Sequence, residues 1–125
     1  MARIDIRVLL PYLDQILELA RNETADQAIR PFAKIIETIV LLNYSDSEDA
    51  NFLSTSQKEL IVEQCFDWLI TKQKVAAKAY GMTSLYELGK EFNWIHPELK
   101  THIETHFAES SAAFKARGRH ILKRL

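Results

Sequence analysis

The sequence predicts an all-α protein of about six helices in one domain of 125 residues. Apolar residues recur at steps of three and four along most of the chain, which places them on one face of a helix. The chain contains only three glycines and three prolines, too few for the many turns of an all-β domain. We therefore expect nearly every residue to lie in a helix or a short connection.

The composition is that of a globular protein that folds without a metal or a disulfide. Hydrophobic residues make up 47% of the chain and charged residues 26%, and a chain of this length buries roughly two thirds of its unfolded surface. The single cysteine, Cys65, stands among bulky apolar neighbours and has no partner for an intrachain disulfide. We therefore expect a reducing, cytoplasmic location.

Neither a secretion signal nor a membrane span is expected. Charges at Arg3, Asp5 and Arg7 interrupt any apolar signal region near the N-terminus. The longest apolar stretches, such as IIETIVLL, are broken by Glu37 and fall short of the ~20 residues that span a bilayer.

The first two helices are predicted on either side of the polar segment NET. The first places its apolar side chains between Val8 and Ala20. Thr24 and Gln27 have the spacing of a capping box, in which a hydroxyl and an amide satisfy free N–H groups at a helix start. The second helix therefore begins near Ala25, and its apolar face is formed by Ala28, Ile29, Phe32, Ala33, Ile36, Ile39 and Val40.

The next two helices follow a polar, acidic stretch at residues 43–55. Its composition is that of one long loop, and an insertion without fixed structure is the alternative. Ser56 and Glu59 have the spacing of a second capping box and predict the start of the third helix. A fourth helix is expected from about Gln73.

The last two helices are predicted from their start signals. Pro97 suits the first position of the fifth helix, where a missing N–H costs nothing. Ser110 or Ser111 can cap the sixth helix. The apolar residues of these two helices include Leu99, Ile103, Phe107, Phe114, Ile121 and Leu122.

Three segments repeat one short pattern. Each has an apolar residue, then a base, and a very small residue three positions after the base. Amphipathicity alone does not require a base and a small residue at this fixed distance, so we interpret the pattern as an internal repeat. The repeated positions are Ile29-Arg30-Ala33, Ala77-Lys78-Gly81 and Phe114-Lys115-Gly118.

This pattern resembles the HEAT-repeat family. In that family a first helix with a Leu-Leu-Pro start precedes a second helix carrying Val-Arg-x-x-Ala-x-x-x-Leu, and Leu9-Leu10-Pro11 supplies the start here. The resemblance implies an α-α superhelix, a HEAT/armadillo-like solenoid. Its three antiparallel helix pairs would lie at about residues 1–45, 54–92 and 96–125 of a single domain, 1–125.

The repeat has a physical reason and two departures from the family pattern. One helix pair cannot cover its own apolar face, so neighbouring pairs must stack, and the small repeat residues let helices approach closely. Pro31 lies inside the second helix, where it should kink the helix or delay its start. Lys replaces Arg at Lys78 and Lys115, which weakens bidentate bonding between repeats. We therefore expect an irregular solenoid.

The resemblance also implies a concave face formed by the second helices. Lys34, Met82 and Tyr86 occupy positions off the predicted core face and would point into it. Trp94 lies in a connecting segment and offers apolar area to a partner, or packs over the helix ends, whereas Trp68 is expected in the core.

The C-terminal residues form a basic segment. The last fourteen residues hold five of the sixteen Lys and Arg residues and no acidic residue. Lys115 belongs to the repeat, and cations near the end of the last helix oppose the helix dipole. Arg117, Arg119, Lys123 and Arg124 are candidates to bind phosphate groups, and a solvated cap on an acidic molecule is the alternative.

A metal site is one further pattern to weigh. Glu98, His102 and His106 share one face of the fifth helix at a spacing compatible with metal binding. Exposed polar positions on a short helix are the favoured interpretation, because the sequence contains no HExxH motif and no third ligand at a recognisable spacing. The sequence also contains no P-loop or dinucleotide-binding glycine pattern. We predict no metal site, no cofactor and no catalytic residues.

These observations favour a non-catalytic protein-interaction or scaffold module of the cytoplasm. It would bind a protein partner on its concave face or at an end of the solenoid. Nucleic-acid binding through the basic C-terminal helix is the alternative, and no membrane is involved. Three repeats are close to the minimum for a stable array, so apolar residues at the ends, such as Leu125, also predict weak self-association.

Overall fold

The computed structural model describes residues 6–23, 25–46, 48–70, 75–108 and 110–125. Within these ranges the chain forms helices and turns without a β-strand, which confirms the all-α prediction. A one-turn helix α1 precedes six helices of ten or more residues. The bounds are α1 Ile6–Leu9, α2 Leu13–Asn22, α3 Asp26–Asn43, α4 Thr55–Ile70, α5 Val75–Gly89, α6 Ile95–His106 and α7 Ala112–Leu122. None of the described helices has the length and apolar character needed to cross a bilayer.

The predicted first helix is divided at Pro11. A 3-10 segment, Leu10–Tyr12, separates α1 from α2. Proline lacks an N–H group and its ring clashes with the carbonyl four residues earlier, so the α-helix cannot continue unchanged through this point. Leu13, Leu17 and Ala20 are buried, whereas Val8 is exposed even though its spacing matched theirs.

Helix α3 starts close to its predicted position and includes Pro31. Its N-cap is Ala25, which makes no side-chain capping bond, and Thr24 of the predicted capping box lies outside the described residues. The delayed start offered as one effect of Pro31 does not occur, because the helix already begins at Asp26. The predicted apolar face is confirmed by the burial of Ile29, Ala33, Ile36, Ile39 and Val40.

Helix α4 begins at Thr55, and its capping box lies two residues before the predicted one. The backbone N–H of Gln57 donates to Ser54 Oγ at 3.1 Å, and the N–H of Ser54 donates to Gln57 Oε1 at 2.9 Å. Ser54 and Gln57 therefore form the reciprocal capping box. The predicted box, Ser56 with Glu59, was wrong. Ser54 and Ser56 each have a suitable partner three residues later, so the spacing alone does not distinguish the two boxes.

The acidic segment before α4 closes back onto the end of α3. The buried Asn43 accepts the N–H of Leu53 at its side-chain oxygen and the N–H of Asn51 at its backbone carbonyl, each at 2.9 Å. Asn51 has a φ of 60°, a left-handed conformation that asparagine tolerates better than most residues. Leu53 is buried, so this part of the segment joins the core.

The last two helices begin in different ways. Helix α6 starts at Ile95, so Pro97 occupies its third position and not its first; the N–H groups of the whole first turn lack intrahelical partners, and proline fits there too. Helix α7 starts as predicted, with the Ser111 side chain accepting the N–H of Phe114 at 3.3 Å.

Helix α5 lies at the centre of the packing. It contacts α3, α4, α6 and α7, while α2 contacts α3 and α4. Met82, Leu85 and Leu88 of α5 are completely buried. The hydrophobic core is therefore organised around one helix.

The small residues of the repeat lie at helix contacts. A Cβ added to Gly81 would lie 3.4 Å from the Cys65 carbonyl oxygen of α4, and one added to Gly118 would lie 3.0 Å from Ile103 Cγ2 of α6. Each glycine thus contacts the preceding helix, at a residue 16 and 15 positions earlier in the chain. Ala33, the corresponding residue of α3, is buried as well.

Candidate functional site

Side chains from α3, α5 and α7 meet on one surface of the molecule. We call this surface the second-helix face and define it by Lys34, Glu37, Tyr80, Thr83 and Arg117. Lys34 and Glu37 lie one turn apart on α3, and Tyr80 and Thr83 have the same spacing on α5, so each pair occupies one side of its helix. Arg117 reaches this surface from α7.

The Glu37 carboxylate holds the second-helix face together. Only 5% of this residue is exposed. Lys34 Nζ lies 3.2 Å from one carboxylate oxygen and Arg117 Nη1 lies 3.5 Å from the other. Arg117 Nη1 also donates to Thr83 Oγ1. A buried carboxylate needs such partners, because an unpaired charge in the protein interior is costly.

The same cluster presents positive charge and one aromatic ring to solvent. The side chains of Lys34 and Arg117 are 57% and 35% exposed. Lys34 Nζ lies 5.1 Å from the centre of the Tyr80 ring, within the range of a cation–π contact. Two cations neutralise one carboxylate, which leaves a surplus positive charge to attract an acidic group.

Two of the predicted contact residues on α5 have different environments. Tyr86 is half-buried: its ring stacks on that of His96 at 5.3 Å between centroids, and Lys90 Nζ lies 5.1 Å from its centre. Met82 is completely buried, so its predicted position off the core face was wrong. Because α5 is covered by four helices, its apolar residues extend around most of its circumference.

Trp94 is exposed at the edge of a second candidate surface. It is 54% exposed and stacks on Phe66 of α4 with 5.9 Å between ring centroids. Trp68 lies in the core as predicted. Beside Trp94 is a groove of about 400 Å³ lined by Glu59, Val62, Glu63, Phe66, Phe92 and Trp94. We call it the tryptophan groove.

The four C-terminal bases do not act as one group. Arg117 points to Glu37, while Arg119, Lys123 and Arg124 are exposed. The Arg119 guanidinium lies 5.7 Å from the centre of the Phe107 ring. The contact between Arg117 and Glu37 gives Arg117 a role within the fold that the sequence did not suggest.

The histidines of α6 make contacts within the protein. His102 Nε2 lies 3.1 Å from the Leu69 carbonyl oxygen, and its ring is 4.6 Å from that of His106. The pKa of His102 is lowered, first because it is partly buried and then because positive charge on His106 or Lys78 opposes protonation. Among the residues described, no group of three or more His, Cys, Asp and Glu side chains could hold a metal ion.

Two more ionisable groups owe their shifted pKa values to structural contacts. Burial raises the pKa of Cys65 to about 12, so its thiol is not poised to react. Hydrogen bonds from Lys58, at 2.9 Å, and from the Tyr44 hydroxyl, at 3.1 Å, lower the pKa of Glu91. This second cluster joins the end of α3, the first turn of α4 and the turn after α5.

Comparisons with known proteins identify no relative. No family model matches the chain, and no similar protein was found among curated proteins or among solved structures.

Proposed function

We propose that the chain is a small, irregular solenoid of three stacked, antiparallel helix pairs, similar to HEAT repeats, and that it serves as a non-catalytic protein-interaction module of the cytoplasm. The pairs would be α2 with α3, α4 with α5, and α6 with α7. The contacts of Gly81 with α4 and of Gly118 with α6 support this pairing, because both join a second helix to the first helix before it at nearly the same chain distance.

The order of helix contacts also supports a stacked arrangement. Helix α5 packs against both α3 and α7, and α2 packs against α4. In a solenoid equivalent helices of neighbouring pairs contact each other, and these three contacts follow that rule, whereas α6 packs chiefly on α5. The second-helix face would then be the concave surface.

The observation that carries the functional proposal is the network of Glu37 with Lys34 and Arg117. It ties three helices into one surface and leaves two partly exposed cations there, of which Lys34 lies over the Tyr80 ring. Arginine and tyrosine are residue types that are enriched at protein interfaces. We propose an acidic segment of a protein as the partner, with Tyr86 and Lys90 extending the same helix face.

Affinity capture with matched variants tests this function. Purified protein serves as bait in native lysate, beside a variant with Lys34→Glu and Lys90→Glu and a control with Lys100→Glu on the exposed side of α6. We expect captured proteins that the control retains and the double variant loses. Failure of the wild-type bait to capture any protein, together with firm binding to oligonucleotides, would overturn the proposal.

Nucleic-acid binding is the second candidate function. The exposure of Arg119, Lys123 and Arg124 on and just after α7 favours it, because phosphate contacts need accessible bases. Anisotropy of labelled single- and double-stranded oligonucleotides measures such binding. If the chain binds nucleic acid through these bases, the Kd should rise with salt concentration and should also rise when the three residues are changed to Gln. Binding that is unaffected by both changes would exclude this candidate.

A further inference from the structure

The tryptophan groove is an apolar surface bordered by acidic residues. Its floor contains Val62, Phe66 and Phe92, and Trp94 forms one edge. Glu59 and Glu63 of α4 lie along the other edge and are exposed. A ligand that fits must therefore offer both apolar contact and positive charge.

The acidic edge continues along α4 as a ridge. Glu59, Glu63 and Asp67 stand at successive steps of four residues, so they form one row on the helix surface. A second groove, of about 420 Å³, borders the same ridge on the side of α2. Among the described residues these three carboxylates form no ion pair within 4.0 Å. Like charges at this spacing destabilise a helix slightly, and a basic partner would relieve that repulsion.

The exposed face of α7 has the complementary pattern. Arg119 and Lys123 lie four residues apart on that face, and Lys115 continues the row one turn earlier. Ala112 and Ala116 are exposed beside the row, so a partner helix can approach closely. A row of bases on one helix thus matches a row of acids on another in charge and in spacing.

The charge distribution of the whole chain favours contact between copies. The formal net charge is only −1, so two copies repel each other weakly. All seventeen acidic residues precede the last fourteen positions, which hold five bases. Such a distribution allows two copies to attract each other through surfaces of opposite charge.

We propose that the tryptophan groove and the acidic ridge of α4 bind the exposed face of α7 from a second copy of this chain. Arg119 and Lys123 pair with Glu59 and Glu63, while Trp94 and Phe66 pack against the helix between these contacts. This contact is independent of the second-helix face and of any partner bound there. The contact joins two different surfaces, so repeated contacts produce an open chain of copies or a closed ring. A dimer forms instead if each of two copies binds the α7 face of the other in its own groove.

A charge-swap experiment tests the proposal directly. The ridge variant carries Glu59→Lys and Glu63→Lys, and the helix variant carries Arg119→Glu and Lys123→Glu. In each variant the two proposed surfaces have the same sign of charge, so self-association should weaken at least tenfold. In an equimolar mixture the basic ridge of one variant faces the acidic helix of the other, so association should return.

Sedimentation velocity over ~5 to 500 µM protein measures the association, and circular dichroism verifies that each variant is folded. We expect the wild type to associate at low salt and to dissociate as exposed ion pairs are screened at high salt. A control with Glu48→Lys and Glu104→Lys makes the same change in net charge as the ridge variant at other positions and should associate nearly as well as the wild type. A monomeric wild type at all concentrations, or variants that associate alone as the wild type does, or a mixture that stays monomeric, would overturn the proposal.

Discussion

At the scale of single residues, the buried Glu37 carboxylate is the most consequential charge in the described structure. One of its cationic partners, Lys34, lies one turn away on α3, whereas the other, Arg117, belongs to α7 and is distant in the sequence. The second contact therefore joins distant elements. Removing it should affect the stability of the whole protein and not only that of one helix.

We predict that Arg117→Ala destabilises the protein by about 2 kcal/mol. Breaking a fully buried ion pair on one side costs about 3–5 kcal/mol, and the cost is lower here because Lys34 remains and Arg117 is partly exposed. Urea denaturation measures the change. Adding Glu37→Gln to Arg117→Ala should cost less than the sum of the single changes, because no buried charge is then left unpaired. Additive effects, or an equal loss from Arg119→Ala, would contradict this account.

The lowered pKa of His102 predicts that the protein becomes less stable as the pH falls below neutrality. Its pKa in the folded protein lies below the ordinary value of 6.5, so the unfolded chain binds the proton more readily. The stability that His102 contributes is therefore present above about pH 6.5 and is lost as the pH falls below that value.

Chemical denaturation at several pH values between 5 and 8 measures this effect. His102→Gln retains a donor near the position of Nε2 for the Leu69 carbonyl but does not titrate, so the dependence of unfolding free energy on pH should become flatter in this range. His120→Gln removes an imidazole from the exposed surface of α7 and serves as the control. A wild-type slope that persists in His102→Gln would show that other groups cause it.

At the scale of elements, Gly89 controls how the end of α5 meets α6. A Cβ at this position would overlap the His96 imidazole, which packs there because His96 Nε2 lies 2.8 Å from the Tyr86 carbonyl oxygen. The absence of a side chain at Gly89 therefore allows α6 to start against α5.

We predict that Gly89→Ala destabilises the protein by about 1–3 kcal/mol, the usual cost of overpacking. Gly81→Ala is the matched control: its Cβ would make an ordinary contact at 3.4 Å, and alanine is the better helix former. Thermal unfolding should show a lower Tm for the first variant and an equal or higher Tm for the second. In a His96→Ala background the cost of Gly89→Ala should largely disappear, and a cost that persists there would rule out the steric explanation.

The elements also show what sequence reasoning can recover. The apolar face of α3 and the Ser111 cap were predictable because each depends on residues within a few turns of one another. The start of α4 was misplaced because Ser54 and Ser56 offer competing caps, and local spacing does not choose between them. The environment of Met82 was missed because it depends on how many helices cover α5.

The candidate surfaces were harder to predict for the same physical reason. The sequence indicates Arg117 only as one base among several, because its partner Glu37 is 80 residues away in the chain. The tryptophan groove combines Phe66 of α4 with Phe92 and Trp94 from the turn before α6. Periodicity within one helix carries no information on such pairings. Trp94 by itself, however, could be identified from the sequence as a candidate contact residue.

At the scale of the whole molecule, the central position of α5 determines how the protein should open. The outer helices α2 and α7 each contact fewer helices than α5 does. Amide exchange reports the least costly opening that exposes each N–H group, so protection should increase from the outer helices to the centre. This ordering follows from the contacts of α5 with its four neighbouring helices.

We predict that the slowest-exchanging amides are in α5, at Met82, Leu85 and Leu88, and that those of α2 exchange much faster. Hydrogen–deuterium exchange followed by mass spectrometry or NMR measures the order at a protein concentration low enough to limit self-association. Destabilisation by Arg117→Ala should accelerate exchange first in α7, because that helix loses its bond to α3 and Thr83 of α5. If α5 exchanged as fast as α2, the core would not be organised around this helix, and the second-helix face would lack its rigid support.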